Sequence, residues 1–312
     1  MQSNNDGFDI FGTNAIEVES HSRENQPKKV SNFYSPKAKD ASDGIYTAKI
    51  RFLYNPVNPV DSIVHKIVYY LLDKESKGHY FDSPQSIGDW NGCQAGQLWR
   101  KLSKSDSALD KQNAEKLNKR DVYYSLVYII DDKIKPEFNG KIMVFKYGIK
   151  LKAKLDKYLN PKPGKKKVDI FNFFTGRNMD LTITRQGNYN NYDDVEFEEE
   201  GTPIEIKGVA VEPTEAGRAI LADFMKGAPV LEEFKYKPLT DDERVKLEQI
   251  LNQFRSPGDS IGTITSSAKK ATDVSPAANQ KTPKPEISEA TGTAKAENAD
   301  EDLDSFLDNI GI

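Results

Sequence analysis

The chain has 312 residues, 37% of them apolar and 29% charged, enough for one large domain or two ordinary ones with a real core. No apolar run approaches the 18 or so residues of a membrane span, and one cysteine, Cys93, excludes an internal disulfide framework and a multi-cysteine zinc module. A net charge of −4 conceals a strong division: residues 133–187 hold 14 Lys/Arg against four Asp/Glu, while 1–27 and 256–312 are acidic. A basic block flanked by acidic ends suggests a polyanionic partner or an internal mimic of one. The polar start after Met1 carries no secretory pattern, which predicts a soluble intracellular protein.

In chain order, residues 1–27 are polar and predicted to be a flexible acidic segment, with Phe8, Ile10 and Phe11 as a small apolar cluster. Segments rich in β-branched and aromatic residues predict strands at Ile45–Tyr54, Ile63–Leu72, Val122–Ile130, Lys141–Tyr147, Val168–Thr175 and Asp180–Arg185. Phe138-Asn139-Gly140 marks a turn between two of them. Helices are predicted at Gln94–Leu102, Ala108–Lys119, Ile149–Leu159, Thr214–Met225 and Asp241–Phe254. The last opens with Thr240 and Glu243 at capping-box spacing. Strands dominate early and helices late, without regular βαβ alternation. That predicts an α+β, mainly β fold: an OB-fold barrel elaborated with helices and a small subdomain, spanning 28–255.

Beyond Arg255 the chain turns to Ser, Thr, Ala, Lys, Pro and Glu, with Phe306 its one aromatic. Such a composition cannot bury enough apolar surface to offset chain entropy, so 256–312 is predicted to be a disordered linker and tail. Its end differs. Leu303, Phe306 and Leu307 sit at helical spacing among Asp302, Asp304 and Asp308, as in a short docking peptide.

No catalytic constellation emerges. The Gly164-Lys165-Lys166 stretch fails the phosphate-loop pattern, and the acids at Asp193, Asp194, Glu196 and Glu198–Glu200 form one contiguous run, which is far more often a solvated loop than a metal site. The positive signal is the interleaving of bases with aromatics. Lys119-Arg120 precedes Tyr123-Tyr124; Phe145-Lys146-Tyr147 precedes Lys150; Tyr189 and Tyr192 follow in a loop of Asn and Gly that predicts outward-facing rings. Cations neutralise phosphates while aromatic faces stack on unpaired bases, a pairing that selects single strands over duplex. For any single aromatic in a strand, a place in the core is the commoner outcome.

The order of these motifs resembles the single-stranded DNA-binding (helix-destabilising) proteins of T-even-like bacteriophages. The resemblance is carried by Ile50-Arg51-Phe52-Leu53, by Lys119-Arg120 with Tyr124, and by Asn139-Gly140-Lys141 through Phe145-Lys146-Tyr147-Gly148. Asn191-Tyr192-Asp193 with Phe197, and the acidic terminus, complete it. It implies an OB-fold core whose cleft faces DNA through Lys119, Arg120, Tyr124, Phe145, Lys146, Tyr147, Tyr189 and Tyr192; Lys150, in the basic block beside them, is expected at the same surface. It also implies a non-enzymatic role in phage replication, recombination and repair, in the cytoplasm of the infected host. Replication and recombination proteins would be recruited through Asp302, Leu303, Asp304, Phe306, Leu307 and Asp308.

The chain departs from the family in two places. The family's structural zinc uses one histidine and three cysteines; here only His65 and Cys93 stand at ligand positions, Ser83 replaces one cysteine, and Cys93-Gln94-Ala95-Gly96 replaces a Cys-x-x-Cys pair. Two ligands cannot close a tetrahedral site, so no metal and no other cofactor is expected. The family's basic N-terminal arm is also replaced by an acidic segment, which leaves self-association open. A single-stranded RNA-binding regulator and an OB-fold interaction scaffold are the alternatives.

Overall fold

The computed structural model describes residues 32–187 and 189–255. The segments predicted to be flexible, 1–27 and 256–312, lie outside the described residues, as do Asp302, Leu303, Asp304, Phe306, Leu307 and Asp308.

In chain order the described strands begin with β1 (Phe33–Tyr34), β2 (Tyr46–Leu53), β3 (Val64–Leu72) and β4 (Gly78–Asp82). Then come β5 (Lys119–Asp132), β6 (Ile142–Gly148), β7 (Asn178–Gln186), β8 (Tyr189–Asn191) and β9 (Glu196–Phe197), which complete one nine-stranded sheet. A separate hairpin joins β10 (Glu205–Ile206) to β11 (Val209–Ala210). The described helices are α1 (Gln94–Ser103), α2 (Ala108–Lys116), α3 (Ile149–Leu159), α4 (Glu215–Met225) and α5 (Asp241–Leu251).

The long strand β5 organises the sheet. Along one edge Lys119–Tyr124 pairs with β3 and Leu126–Asp132 with β2, while the other edge pairs with β6. Each antiparallel pairing adds right-handed twist, so a strand that changes partners along its length curls the sheet into a half-barrel. The result is a mixed α+β fold.

Both faces of this sheet are buried, and the period of two is visible in the residues. Val127 and Ile129 join Ile50, Phe52, Phe145 and Leu151 of α3 in one core; Val122, Tyr124, Leu126 and Tyr128 join Leu221 and Met225 of α4 in another. A third core forms the subdomain, where Tyr69, Leu71 and Phe81 of β3 and β4 meet Leu98, Leu117, Leu247 and Ile250. Arg51, within a motif that carries the family resemblance, is fully buried. It donates to Asn178 Oδ1 (3.1 Å) and to the carbonyls of Asn172 (2.7 Å) and Thr202 (3.0 Å), fastening two loops to β2. Burial lowers its pKa to about 10, against the pull of Glu198 and Asp169.

Most predicted elements form within one to three residues of the expected bounds, and the Thr240–Glu243 capping box is present. Three differ. Val168–Thr175 is not a strand: Asp169 Oδ1 accepts the Phe171 N–H, and Asn172 Oδ1 accepts those of Phe174 and Thr175, turning the chain locally. Its apolar residues Ile170, Phe171 and Phe173 enter the core from a loop, which gives a strand-like composition without pairing. Helix α2 ends at Lys116, and Lys119 opposite Tyr69 already belongs to β5. Strand β4 is short and built from Gly, His, Tyr, Phe and Asp, types mixed in strand preference, and its pairing with β3 decides its state.

Candidate nucleic-acid interface

A groove of about 260 Å³ opens where the start of β5 and the end of β6 meet β4, β8 and the beginning of α3. Its lining includes Lys119, Arg120, Phe145, Lys146, Tyr147 and Tyr192, so six of the nine residues expected at a DNA surface converge on one concavity. Adjacency in the ladder explains much of this: Tyr147 pairs with Tyr123 and Lys146 with Tyr124 across β5 and β6.

The cations lie against aromatic rings. Lys119 Nζ is 5.2 Å from the centre of the Trp90 ring, the Arg120 guanidinium 4.9 Å from that of Tyr70, and Lys146 Nζ 5.5 Å from that of Tyr80. All three fall within the range where a ring quadrupole attracts a cation. Tyr70 and Tyr80 are a cross-strand pair of β3 and β4 with ring centres 4.7 Å apart. Trp90 is 50% exposed in the loop Gly88–Gly92. That loop is fixed because Asp89 Oδ1 accepts the Gly92 N–H (2.7 Å) and Arg100 donates to the Trp90 carbonyl (2.9 Å).

The expected stacking residues occupy different positions. Phe145 (1% exposed) packs among Tyr34, Phe52 and Tyr147, so its ring is core. Tyr147 (4% exposed) stacks on Tyr123 at 5.8 Å and its hydroxyl lies 3.0 Å from Ser125 Oγ. Tyr124 does not line the groove; Phe234 covers its face at 5.1 Å, and Phe33 meets it edge-on. Burial pushes the hydroxyls of both tyrosines up, well above their ordinary range. Tyr192, expected to point outward, is 8% exposed and joins the main core. Its Asn-rich surroundings include a hairpin, with Gly187 at φ +61° in the turn and β8 folded back on β7. The backbone of Tyr189 pairs with Gln186 in the β7–β8 hairpin. Lys150 is exposed on α3, one residue past the groove rim at Ile149.

Trp90, Tyr70 and Tyr80 are not among the residues expected at a DNA surface from the sequence. A usable signal existed for Trp90, which is flanked by Gly88-Asp89 and Asn91-Gly92, the same turn-former setting that singled out Tyr189 and Tyr192.

The residues at the family's zinc positions do not fit a metal. Cys93 Sγ caps α1, accepting the Gly96 N–H (3.3 Å) and the Ser83 hydroxyl (3.4 Å). A Cβ at Gly96 would fall 2.3 Å from Gln85 Nε2 and 3.2 Å from the Tyr69 hydroxyl, so the space is taken by a hydrogen-bonding amide and phenol. His65 Nε2 is bonded to Asp121 Oδ1 at 2.8 Å. A lone thiol is a poor donor set for tetrahedral zinc. Among the described residues no three His, Cys, Asp or Glu side chains are grouped to hold an ion.

Cations and aromatic rings gathered at one groove are the two ingredients with which proteins hold single-stranded nucleic acid. The chain belongs to the family described as gp32 DNA binding protein like, whose model matches residues 46–252. It is similar to the single-stranded DNA-binding proteins of Enterobacteria phage T4 and Enterobacteria phage T2, at 24% identity over 153 residues in each case. That alignment covers 48% of this chain and 50% and 49% of those relatives, so the chain spans about half the length of the curated relatives it matches.

Proposed function

We propose that the chain binds single-stranded DNA with little sequence preference, through the groove between β5, β6 and the β3–β4 hairpin. The observation that carries this reading is the set of three cation–ring pairs, Lys119–Trp90, Arg120–Tyr70 and Lys146–Tyr80, around one concavity. Phosphates would be neutralised by the cations, and unpaired bases would stack on the exposed parts of Trp90, Tyr70 and Tyr80. Phe145, Tyr147 and Tyr192 would shape the wall from the core side. Family membership and the similarity to single-stranded DNA-binding proteins of two phages support single-stranded DNA as the ligand.

In this reading the half-barrel is an OB-fold and the role is non-enzymatic protection of strands during phage replication, recombination and repair, in the host cytoplasm. The acidic tail recruits partner proteins through Leu303, Phe306 and Leu307. No described helix is long and apolar enough to cross a membrane. Tryptophan emission reports binding directly, because Trp90 stands beside Lys119. Titration with single-stranded DNA should quench it at low protein concentration, with duplex DNA and single-stranded RNA markedly weaker. Equal response to duplex would remove the stacking component, and preference for RNA would transfer the reading to that polymer.

A further inference from the structure

Beyond the groove, unneutralised positive charge concentrates on α3 and the loop that follows it. Lys150, Lys157, Lys162, Lys165, Lys166 and Lys167 are all exposed. None of the six side chains has a hydrogen bond or ion pair among the described residues, whereas Lys152 is paired with Asp156 (2.5 Å) and Lys154 donates to the Val195 carbonyl (2.8 Å). Of the acids on and around α3, Asp156 is held by Lys152 and Asp169 by the Tyr54 hydroxyl, while the exposed Asp193 and Asp194 stand beside Lys154, whose ammonium donates to the Asp193 carbonyl. The loop holds its lysines outward in a turn, with Gly164 at φ +87° and the Lys165 N–H on the Lys162 carbonyl (3.1 Å).

Placement links these lysines to the groove. Gly148 and Ile149 line the groove and α3 begins at Ile149, so the helix leads away from its rim. Lys150 and Lys157, seven residues apart, fall on one side of the helix and about 10 Å apart along its axis. The route presents no open ring, because Tyr158 packs against Phe197 at 4.8 Å and under the Arg177 guanidinium at 5.5 Å. A row of free ammonium groups without aromatic faces suits phosphates and not bases.

We propose that α3 and the 160–167 loop form a second, backbone-only track, which takes the phosphates of the same single strand after it leaves the groove. This rests on the groove reading and adds a length dependence to it. A short oligonucleotide of about 4 nucleotides would fill the groove alone, whereas about 16 would engage the track as well.

The test replaces Lys162, Lys165, Lys166 and Lys167 by glutamine in the full chain and measures affinity for both lengths across a salt series. A second variant, Lys150→Gln with Lys157→Gln, samples the helix. For the long strand the four-lysine variant should lose affinity, and the slope of log K against log salt should shrink by about 2–3, at about 0.7 per contact. Binding of the short strand should stay at the wild-type value. An unchanged slope for the long strand overturns the track, as does an equal loss for both lengths. Tighter binding by the variant also overturns it, since the lysines would then be holding an acidic segment of the chain itself. Failure of the wild type to bind either length overturns the groove reading, which separates the two outcomes.

Discussion

The Lys119 ammonium lies 5.2 Å from the centre of the Trp90 ring, joining the first residue of β5 to the loop that precedes α1. The ring is half exposed and is held from its backbone by Arg100, so its removal should leave the fold intact. Trp90→Ala should weaken single-strand binding by about 1–3 kcal/mol with the melting temperature nearly unchanged. Lys119→Gln should instead lower the salt slope by about 0.7. Isothermal titration at two salt concentrations separates the effects; a tryptophan variant that binds like wild type would remove Trp90 from the interface.

Tyr147 has a different signature, because its ring is core. Tyr147→Ala should destabilise the protein by about 3–5 kcal/mol, in the range of other large buried aromatics, and any loss of DNA binding should follow the loss of fold. Tyr147→Phe keeps the ring and gives up the contact with Ser125, which should cost about 1 kcal/mol. Chemical denaturation of both variants checks the order; a stable Tyr147→Ala protein with weakened binding would return the ring to the surface.

Contrast between these two residues shows what the sequence makes legible. Strands such as β2, β3 and β6 are visible because β-branched and aromatic runs end at turn formers, and Lys119, Arg120 and Lys146 are visible as bases beside them. Exposure is another matter. Tyr124 is covered by Phe234, 110 residues later in the chain, and Phe145 is enclosed by Tyr34 and Phe52. Those partners are set by tertiary packing, which no local pattern encodes. Val168–Thr175 is misread for a related reason, since burial from a turn and burial from a strand draw on the same residue types, and Asp169 and Asn172 decide between them.

The zinc positions give a third prediction. Cys93 is occupied as a helix cap and as acceptor from Ser83, and Gln85 fills the space beside Gly96. Purified protein should hold far less than one zinc per chain by elemental analysis, and chelator should leave the melting temperature in place. Stoichiometric zinc, lost with a drop in stability, would contradict this.

Acidification should loosen the subdomain through Asp73. Its carboxylate is hydrogen-bonded by His79 (2.8 Å), by the backbone N–H groups of Glu75 (3.0 Å) and Lys77 (2.9 Å), and by Lys246 of α5 (3.1 Å). The His79 bond contributes most, and together these hold the carboxyl well below its usual range despite partial burial. A folded pKa below the unfolded one stabilises the protein fully above about pH 4, and that contribution is lost as pH falls through the folded value. Melting curves from neutral pH into strong acid should therefore fall more steeply for wild type than for Asp73→Asn. Parallel curves would show that the carboxylate does not tie α5 to the β3–β4 turn.

In the proposed function Lys119, Arg120 and Lys146 form one phosphate-binding groove for a single strand. Its most direct test is the salt dependence of binding to a single-stranded oligonucleotide, for wild type and for the variant with all three changed to glutamine. The variant should fold, its affinity should fall steeply, and its slope of log K against log salt should be reduced by about 2, at about 0.7 for each of three phosphates. Wild-type affinity and slope in that variant would place the DNA elsewhere on the molecule.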